Sequence, residues 1–312
     1  MPAFAFVFPG QGSQSVGMLD AWGEHPAVQR TLAEASQALG EDLGVLIHSG
    51  PKEALELTTN TQPVMLTAGI ACYRAWLAEG GPEPAAAAGH SLGEYSALVA
   101  AGALSLADAL PLVRLRAQAM QQAVPVGAGA MAAILGLDAA VVTAACAEVA
   151  AASGEAVAPA NYNDPKQTVI AGTKAGVDLA CEKLKARGAK RALLLAVSAP
   201  FHSSLMKPAA EVLREKLRTV AIQAPRIPVV NNIDVAVQTE PDAIRDALYR
   251  QAFGPVRWVE VTQALRARGL LHIYECGPGK VLAGLVKRVD ADITATTVLD
   301  PATLQNALGM LV

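Results

Sequence analysis

At 312 residues, with 52% hydrophobic and 17% charged side chains, the chain is long enough for two domains, or for one domain carrying an insertion, and too apolar to be disordered. Lys plus Arg number 25 against 28 Asp plus Glu, a formal charge of -3, so no overall electrostatic footprint favours nucleic acid or an anionic membrane. The four cysteines are widely spaced, form no Cys-x-x-Cys pair and read as small buried hydrophobes in a core that is aliphatic and alanine-rich.

The first apolar run, 3–8, ends at Pro9-Gly10 and suits a strand buried on both faces of a parallel sheet. It lacks the basic flank of a signal peptide, which makes a cytoplasmic protein the expectation. The longest apolar stretches, 97–113 and 130–152, are interrupted by polar residues and do not read as membrane spans. Gly10-Gln11-Gly12-Ser13-Gln14 follows the first strand, where parallel sheets carry ligand sites. It is not a dinucleotide fingerprint, because Ser15 stands where the third glycine belongs. Helical patterns cover 27–39 and 61–79, the second opened by Asn60-Thr61-Gln62-Pro63 as a cap and stopped by Gly80-Gly81-Pro82.

The segment 85–88 then enters Gly89-His90-Ser91-Leu92-Gly93-Glu94, and a helix-compatible run, 92–101, leaves it. This is the pattern of a nucleophile elbow, in which glycines on both sides let a serine sit on a strained strand-to-helix corner with its hydroxyl outward. The free N–H groups of the following helix would stand beside the charge that develops in acyl transfer. A five-residue match also arises by chance in an alanine- and glycine-rich chain, so its partners must decide. Ser105 and Asp108 open a helix to about residue 122, with Pro111 early inside it. Arg114 and Arg116 lie on that helix roughly 200° apart, so they face different ways; by position alone either reads as a solvated surface residue.

Pro125, Gly127 and Gly129 mark a composition break. After it come a strand (130–137), a helix (139–152), two strands (156–161 and 168–172) with a turn at Asn163-Asp164-Pro165, a helix (175–187) and a strand (192–197). That order, βαββαβ, is a ferredoxin-like unit inserted into the larger fold. His202 lies in the returning loop, ahead of a helix at 205–220. A strand (227–231), helices (242–253 and 259–268), a final strand (271–276) and a helix (281–289) complete the reading. Gly277 to Lys280 is not a phosphate loop, since Tyr274 and Val281 occupy the places of the required Gly and Ser or Thr.

Pro9-Gly10-Gln11-Gly12-Ser13-Gln14, the 89–94 elbow, Arg116 followed by Met120, Gly129-Ala130-Met131, His202 within Ser198-Ala199-Pro200-Phe201-His202-Ser203, Asn231-Asn232 and Glu275-Cys276-Gly277-Pro278-Gly279-Lys280 occur in this order. With these motifs the chain resembles, nearly end to end, the malonyl-CoA:acyl carrier protein transacylases, or malonyltransferases. The resemblance implies an α/β fold: an α/β-hydrolase-like catalytic domain with a parallel sheet, formed by 1–125 and 198–312, plus an inserted ferredoxin-like small domain, 126–197. It implies Ser91 as nucleophile and His202 as the general base that later protonates the leaving group, a double task suited to a pKa near neutrality. The backbone N–H groups of Gln11 and Leu92 would form the oxyanion hole, each worth about 3 to 4 kcal/mol.

By the same resemblance Arg116 grips the free carboxylate of malonyl with a two-pronged fork that lysine cannot reproduce. Gln62 and Gln251 match positions near the site, and Gln251 is expected to present an oxygen that orients His202. Phe201 resembles members that accept malonyl and not methylmalonyl. The available acids between Ser91 and His202, namely Asp138, Asp164 and Asp178, all fall in the inserted unit, which fits a serine-histidine dyad and not a hydrolase triad. The implied reaction carries malonyl from malonyl-CoA to Ser91 and then to the phosphopantetheine thiol of acyl carrier protein, supplying fatty acid or polyketide extender units. No metal or bound cofactor, no nucleic acid and no membrane is implied, and a monomer is expected. Lys190, Arg191, Lys287 and Arg288 are the expected basic docking surface for an acidic carrier. A serine thioesterase or esterase, and a non-catalytic carrier-docking module, remain as alternatives.

Overall fold

The computed structural model describes residues 2–311. Nine strands occur among the described residues: β1 (Phe4–Phe8), β2 (Ala86–Gly89), β3 (Gly129–Leu135), β4 (Val157–Asp164), β5 (Gln167–Thr173), β6 (Arg191–Leu194), β7 (Val229–Val230), β8 (His272–Cys276) and β9 (Thr294–Val298). They form a parallel sheet in the order β7-β2-β1-β8-β9 and an antiparallel sheet in the order β4-β5-β3-β6. The fold is therefore α/β, with a hydrolase-like large domain and a small domain whose helices Ala139–Ser153 and Lys174–Ala186 back one face of its sheet. No helix among the described residues is long and apolar enough to cross a membrane.

β1 is the centre of the large sheet and is buried throughout. Strand alternation sends Phe4, Phe6 and Phe8 to one face, where they meet Tyr73, Trp76 and Tyr274 at ring separations of 5.2–6.3 Å. Each such ring removes roughly 150–250 Å² from water, about 4–6 kcal/mol of transfer free energy before entropy is counted. The chain's few aromatic side chains are thus concentrated where they hold the central strand, while Ala5, Val7, Ala86 and Ala88 pack the other face against Trp258 and Ile273. Alanine is a weak strand former, yet β2 persists because it is laddered on both sides, to β1 and to β7.

Several elements differ from the sequence expectation. The helix expected at 61–79 spans Thr58–Ala78, with Pro63 inside it. Asn60 is drawn away from capping, its side chain donating to Ala54 O at 2.9 Å, while Thr61 Oγ1 donates to Leu55 O at 2.6 Å. The strand expected at 227–231 is only Val229–Val230, since Asn231 N turns the chain back onto Ala236 O at 3.0 Å. His272–Cys276 is not the final strand: β9 pairs beyond it, and a helix, Pro301–Gly309, follows. Short helices at Leu43–Ser49 and Lys52–Glu56 give less than two turns of pattern each and are silent in the sequence.

The carboxyl ends of β1, β2, β7 and β8 open on one side of the sheet, where parallel folds place their ligands. The corner after β2 is built by close contact. A Cβ on Gly93 would stand 2.0 Å from Phe8 O, and one on Gly89 would stand 1.9 Å from the Gly93 carbonyl, so neither position admits a side chain. Between them Ser91 takes a φ of 52°, a left-handed conformation disfavoured for serine and held by those contacts. Gly93→Ala is accordingly expected to cost about 3 kcal/mol of stability or to block folding. An unchanged urea midpoint would show that the contact yields.

Candidate active site

The elbow presents Ser91 to a cavity of about 150 Å³ between the two sheets, and His202 closes on it from the returning loop. His202 Nε2 lies 2.7 Å from Ser91 Oγ. Its Nδ1 faces two backbone carbonyls, Gln251 O at 3.0 Å and Gly254 O at 3.1 Å. Carbonyls only accept, so Nδ1 carries the proton and Nε2 is free to accept from the serine hydroxyl. The oxygen that Gln251 offers the histidine is therefore its main-chain carbonyl. Among the described residues no carboxylate touches the ring; burial first, and then the Arg116 charge, push His202 down to about 3. Like Ser91, His202 sits at positive φ, 60°.

The loop after β1 is pressed onto the elbow. A Cβ on Gly10 would lie 2.5 Å from His90 O and 3.8 Å from Leu92 N, so the glycine lets Gln11 and Leu92 line the same cavity. The loop after β8 packs behind it: a Cβ on Gly279, at φ 84°, would stand 3.1 Å from Ser13 Cβ. Glu275 Oε2 accepts from Ala283 N at 2.8 Å and so holds the first turn of the helix Val281–Val289 in place. The Gly277–Lys280 segment is thus a backbone support for the β1 loop.

Arg116 and Arg114 leave their helix on different sides. Arg114 turns to Glu41 and Asn60, whereas Arg116 is 3% exposed and reaches the serine. Its Nη1 donates to Gln62 Oε1 at 2.8 Å, and its Nη2 donates to Gln251 Oε1 at 3.1 Å and to Ser91 Oγ at 3.2 Å. The guanidinium also lies over the Tyr95 ring, 5.5 Å from its centroid. Among the described residues it forms no ion pair, and its Nε has no hydrogen-bond partner. Phe201 lines the cavity and packs against the cores of both domains.

Asn232, quoted in the sequence only as part of a motif, spans the elbow. Its Oδ1 accepts from Ser91 N at 2.7 Å and its Nδ2 donates to Gly89 O at 2.7 Å. Glu94 lies behind it, accepting from Asn232 N at 2.8 Å. His90 joins the domains through Asn163 Oδ1 at 2.8 Å. The signal for these residues was present as an adjacent polar pair after a strand and as an acid following the elbow; their geometry comes from distant parts of the chain. The expected basic surface is split: Arg191 begins the β6 edge, while Arg288 pairs with Asp164 at the β4 edge, at 2.7 Å.

Residues 5–299 match the acyl transferase domain family. The chain is 54% identical to the malonyl CoA-acyl carrier protein transacylase of Escherichia coli K12 over 311 residues, covering 99% of this chain and 100% of that one. The crystal structure of an acyl-carrier-protein S-malonyltransferase from Burkholderia pseudomallei superposes with a TM-score of 0.97 at 64% identity, covering 98% of this chain and 99% of that one. A type II polyketide synthase acyl-carrier protein in complex with its malonyl-transacylase offers a second likeness, in which the matched chain has a TM-score of 0.96 at 49% identity, with 99% of each chain covered. The chain belongs to the acyl transferase domain family and, within it, to the malonyl-CoA:acyl carrier protein transacylases.

Proposed function

We propose that Ser91 carries the malonyl group between coenzyme A and the phosphopantetheine thiol of acyl carrier protein, with Arg116 as the anchor for the malonyl carboxylate. The observation that carries this reading is a buried arginine whose hydrogen-bond partners are all neutral. Two amide oxygens hold Arg116 without cancelling its charge. Desolvating a guanidinium costs several kcal/mol, a penalty that an acyl group bearing its own carboxylate offsets and a neutral acyl group does not. An esterase or thioesterase for neutral chains has no use for it. Phe201 lines the cavity with a bulky ring, which supports malonyl over a branched acyl group.

In the first half-reaction Ser91 Oγ attacks the thioester carbonyl while its proton passes to His202 Nε2. The backbone N–H groups of Gln11 and Leu92 receive the oxyanion. Collapse breaks the C–S bond, and the coenzyme A thiolate leaves with the proton from His202. In the second, His202 takes the proton of the carrier thiol, the sulfur attacks the Ser91 ester, and the serine oxygen recovers the proton as it departs. The carrier complex of a similar malonyl-transacylase supports this second acceptor.

The low pKa of His202, about 3, keeps the base neutral in the free enzyme. A carboxylate bound to Arg116 offsets part of the field that depresses it, so the base strengthens once substrate is in place. The unfolded chain protonates this histidine near 6.5 and the folded one only near 3, so acid removes stability between those values.

Incubation with malonyl-CoA is expected to give a malonyl-sized mass increase that is absent in Ser91→Ala and discharged by holo acyl carrier protein; loss to water alone would indicate a thioesterase, and no adduct a docking module. Arg116→Ala should lower kcat/KM for malonyl-CoA by about a hundredfold while changing acetyl transfer by about threefold or less, and equal losses would remove Arg116 as the selectivity element. The pH profile of kcat/KM should show no inflection near 6.5, and that of kcat should inflect at higher pH than that of kcat/KM. Coincident inflections near the ordinary histidine value would contradict the buried, Arg116-shadowed base.

A further inference from the structure

We infer that Glu94 tunes malonyl selectivity from behind the site, as a positioning residue that fixes which way the Gln251 amide faces Arg116; this rests on Arg116 being the carboxylate anchor. Glu94 is 2% exposed and stands in the first turn of the helix Gly93–Ala100, where an anion is favoured. It touches neither the cavity wall nor the guanidinium. Its Oε2 accepts from Gln251 Nε2 at 3.1 Å, and that nitrogen also donates to Ser91 O at 3.0 Å.

Both hydrogens of the Gln251 amide nitrogen are thereby committed to acceptors. The amide oxygen must then point the other way, where Arg116 Nη2 meets it at 3.1 Å. Turned over, the amide would set its N–H groups against the guanidinium donors and its oxygen against two other oxygens. Each mismatch leaves a buried polar group unpaired, at about 1–3 kcal/mol apiece, so only one sense is populated while Glu94 Oε2 is present. Burial pushes the Glu94 carboxyl up to about 7, and Oε2 stays an acceptor in either protonation state.

The intervening glutamine also keeps the two side chains from pairing directly, although they still feel each other's field. A direct Glu94–Arg116 pair would neutralise the fork and compete with the substrate carboxylate. One amide apart, Glu94 orients the holder of Arg116 and leaves the guanidinium without a carboxylate in contact. Its second bond, from Asn232 N at 2.8 Å, ties the same oxygen to the residue that spans the elbow. A purely structural brace for the elbow would use that bond alone and would serve all acyl groups equally.

The test is the ratio of kcat/KM for malonyl-CoA to that for acetyl-CoA, measured for Glu94→Met, which keeps the length and removes the acceptor, and for Glu94→Gln, which keeps an oxygen. Glu94→Met should lower the ratio about tenfold, mostly through KM for malonyl-CoA, and Glu94→Gln should stay within about threefold of wild type. In an Arg116→Ala background Glu94→Met should leave the ratio unchanged. Labelling of Ser91 by a neutral fluorophosphonate reports whether each variant keeps its elbow. Parallel loss of malonyl and acetyl transfer in Glu94→Met would overturn the inference. So would a tenfold fall in the ratio for Glu94→Gln, which is decisive even where the methionine variant does not fold. If Arg116→Ala itself fails to lower the ratio, the anchor reading falls instead.

Discussion

The contact on which the site depends is backbone against backbone: Phe8 O, at the end of the central strand, lies where any side chain at residue 93 would have to be. That contact fixes the elbow helix against β1, and with it the distance between the loop bearing Gln11 and the amide of Leu92. Two segments eighty residues apart can line one small cavity with their backbones only if those backbones touch, and glycine at 10, 89 and 93 is the residue that permits touching. Asn232 completes the frame by taking Ser91 N and Gly89 O across the corner. The strained serine is held from both ends, so its hydroxyl has one direction to point.

Around that frame the electrostatics are arranged to avoid early neutralisation. His202 is oriented by carbonyl dipoles and Arg116 by amide oxygens, so neither functional charge is spent on an internal partner. An acid on His202 would raise the basicity of the free enzyme and hold the imidazolium in place after proton transfer. Neutral carbonyls do less of both, which leaves the imidazole free to give its proton back within one turnover. Burial, and after it the positive charge of Arg116, keep the imidazole unprotonated.

Much of this was legible in the chain. The elbow glycines, the buried first strand, the βαββαβ order and the opposite facing of Arg114 and Arg116 all follow from local steric and periodic rules, and the structure has them in place. What was not legible depends on contacts between distant segments. Asn60 has the side chain of a helix cap, yet a carbonyl of the preceding short helix, Ala54 O, takes its side chain and the helix begins a turn earlier. β9 has no clear signal in the sequence because Thr294–Val298 buries only Ala295 and Val298, which break the two-residue period, and it becomes a strand by pairing with β8. Gln251 was expected to offer the histidine an oxygen; which of its two oxygens does so depends on a helix end meeting a loop fifty residues away.

The division of labour within Gln251 shows why such a site resists piecemeal reading. Its main-chain carbonyl meets His202 Nδ1, its side-chain oxygen meets Arg116, and its side-chain nitrogen is anchored to the Ser91 carbonyl and to Glu94. One residue at the end of the helix Pro241–Gln251 thus ties Ser91, His202 and Arg116 to a common scaffold. Any displacement of that helix end moves all three together, which preserves their mutual geometry better than three independent supports would. A dyad with no third acid gains its rigidity in this way: the orienting groups belong to the backbone and to a shared amide, whose positions are set by the fold and not by the protonation state of a further side chain.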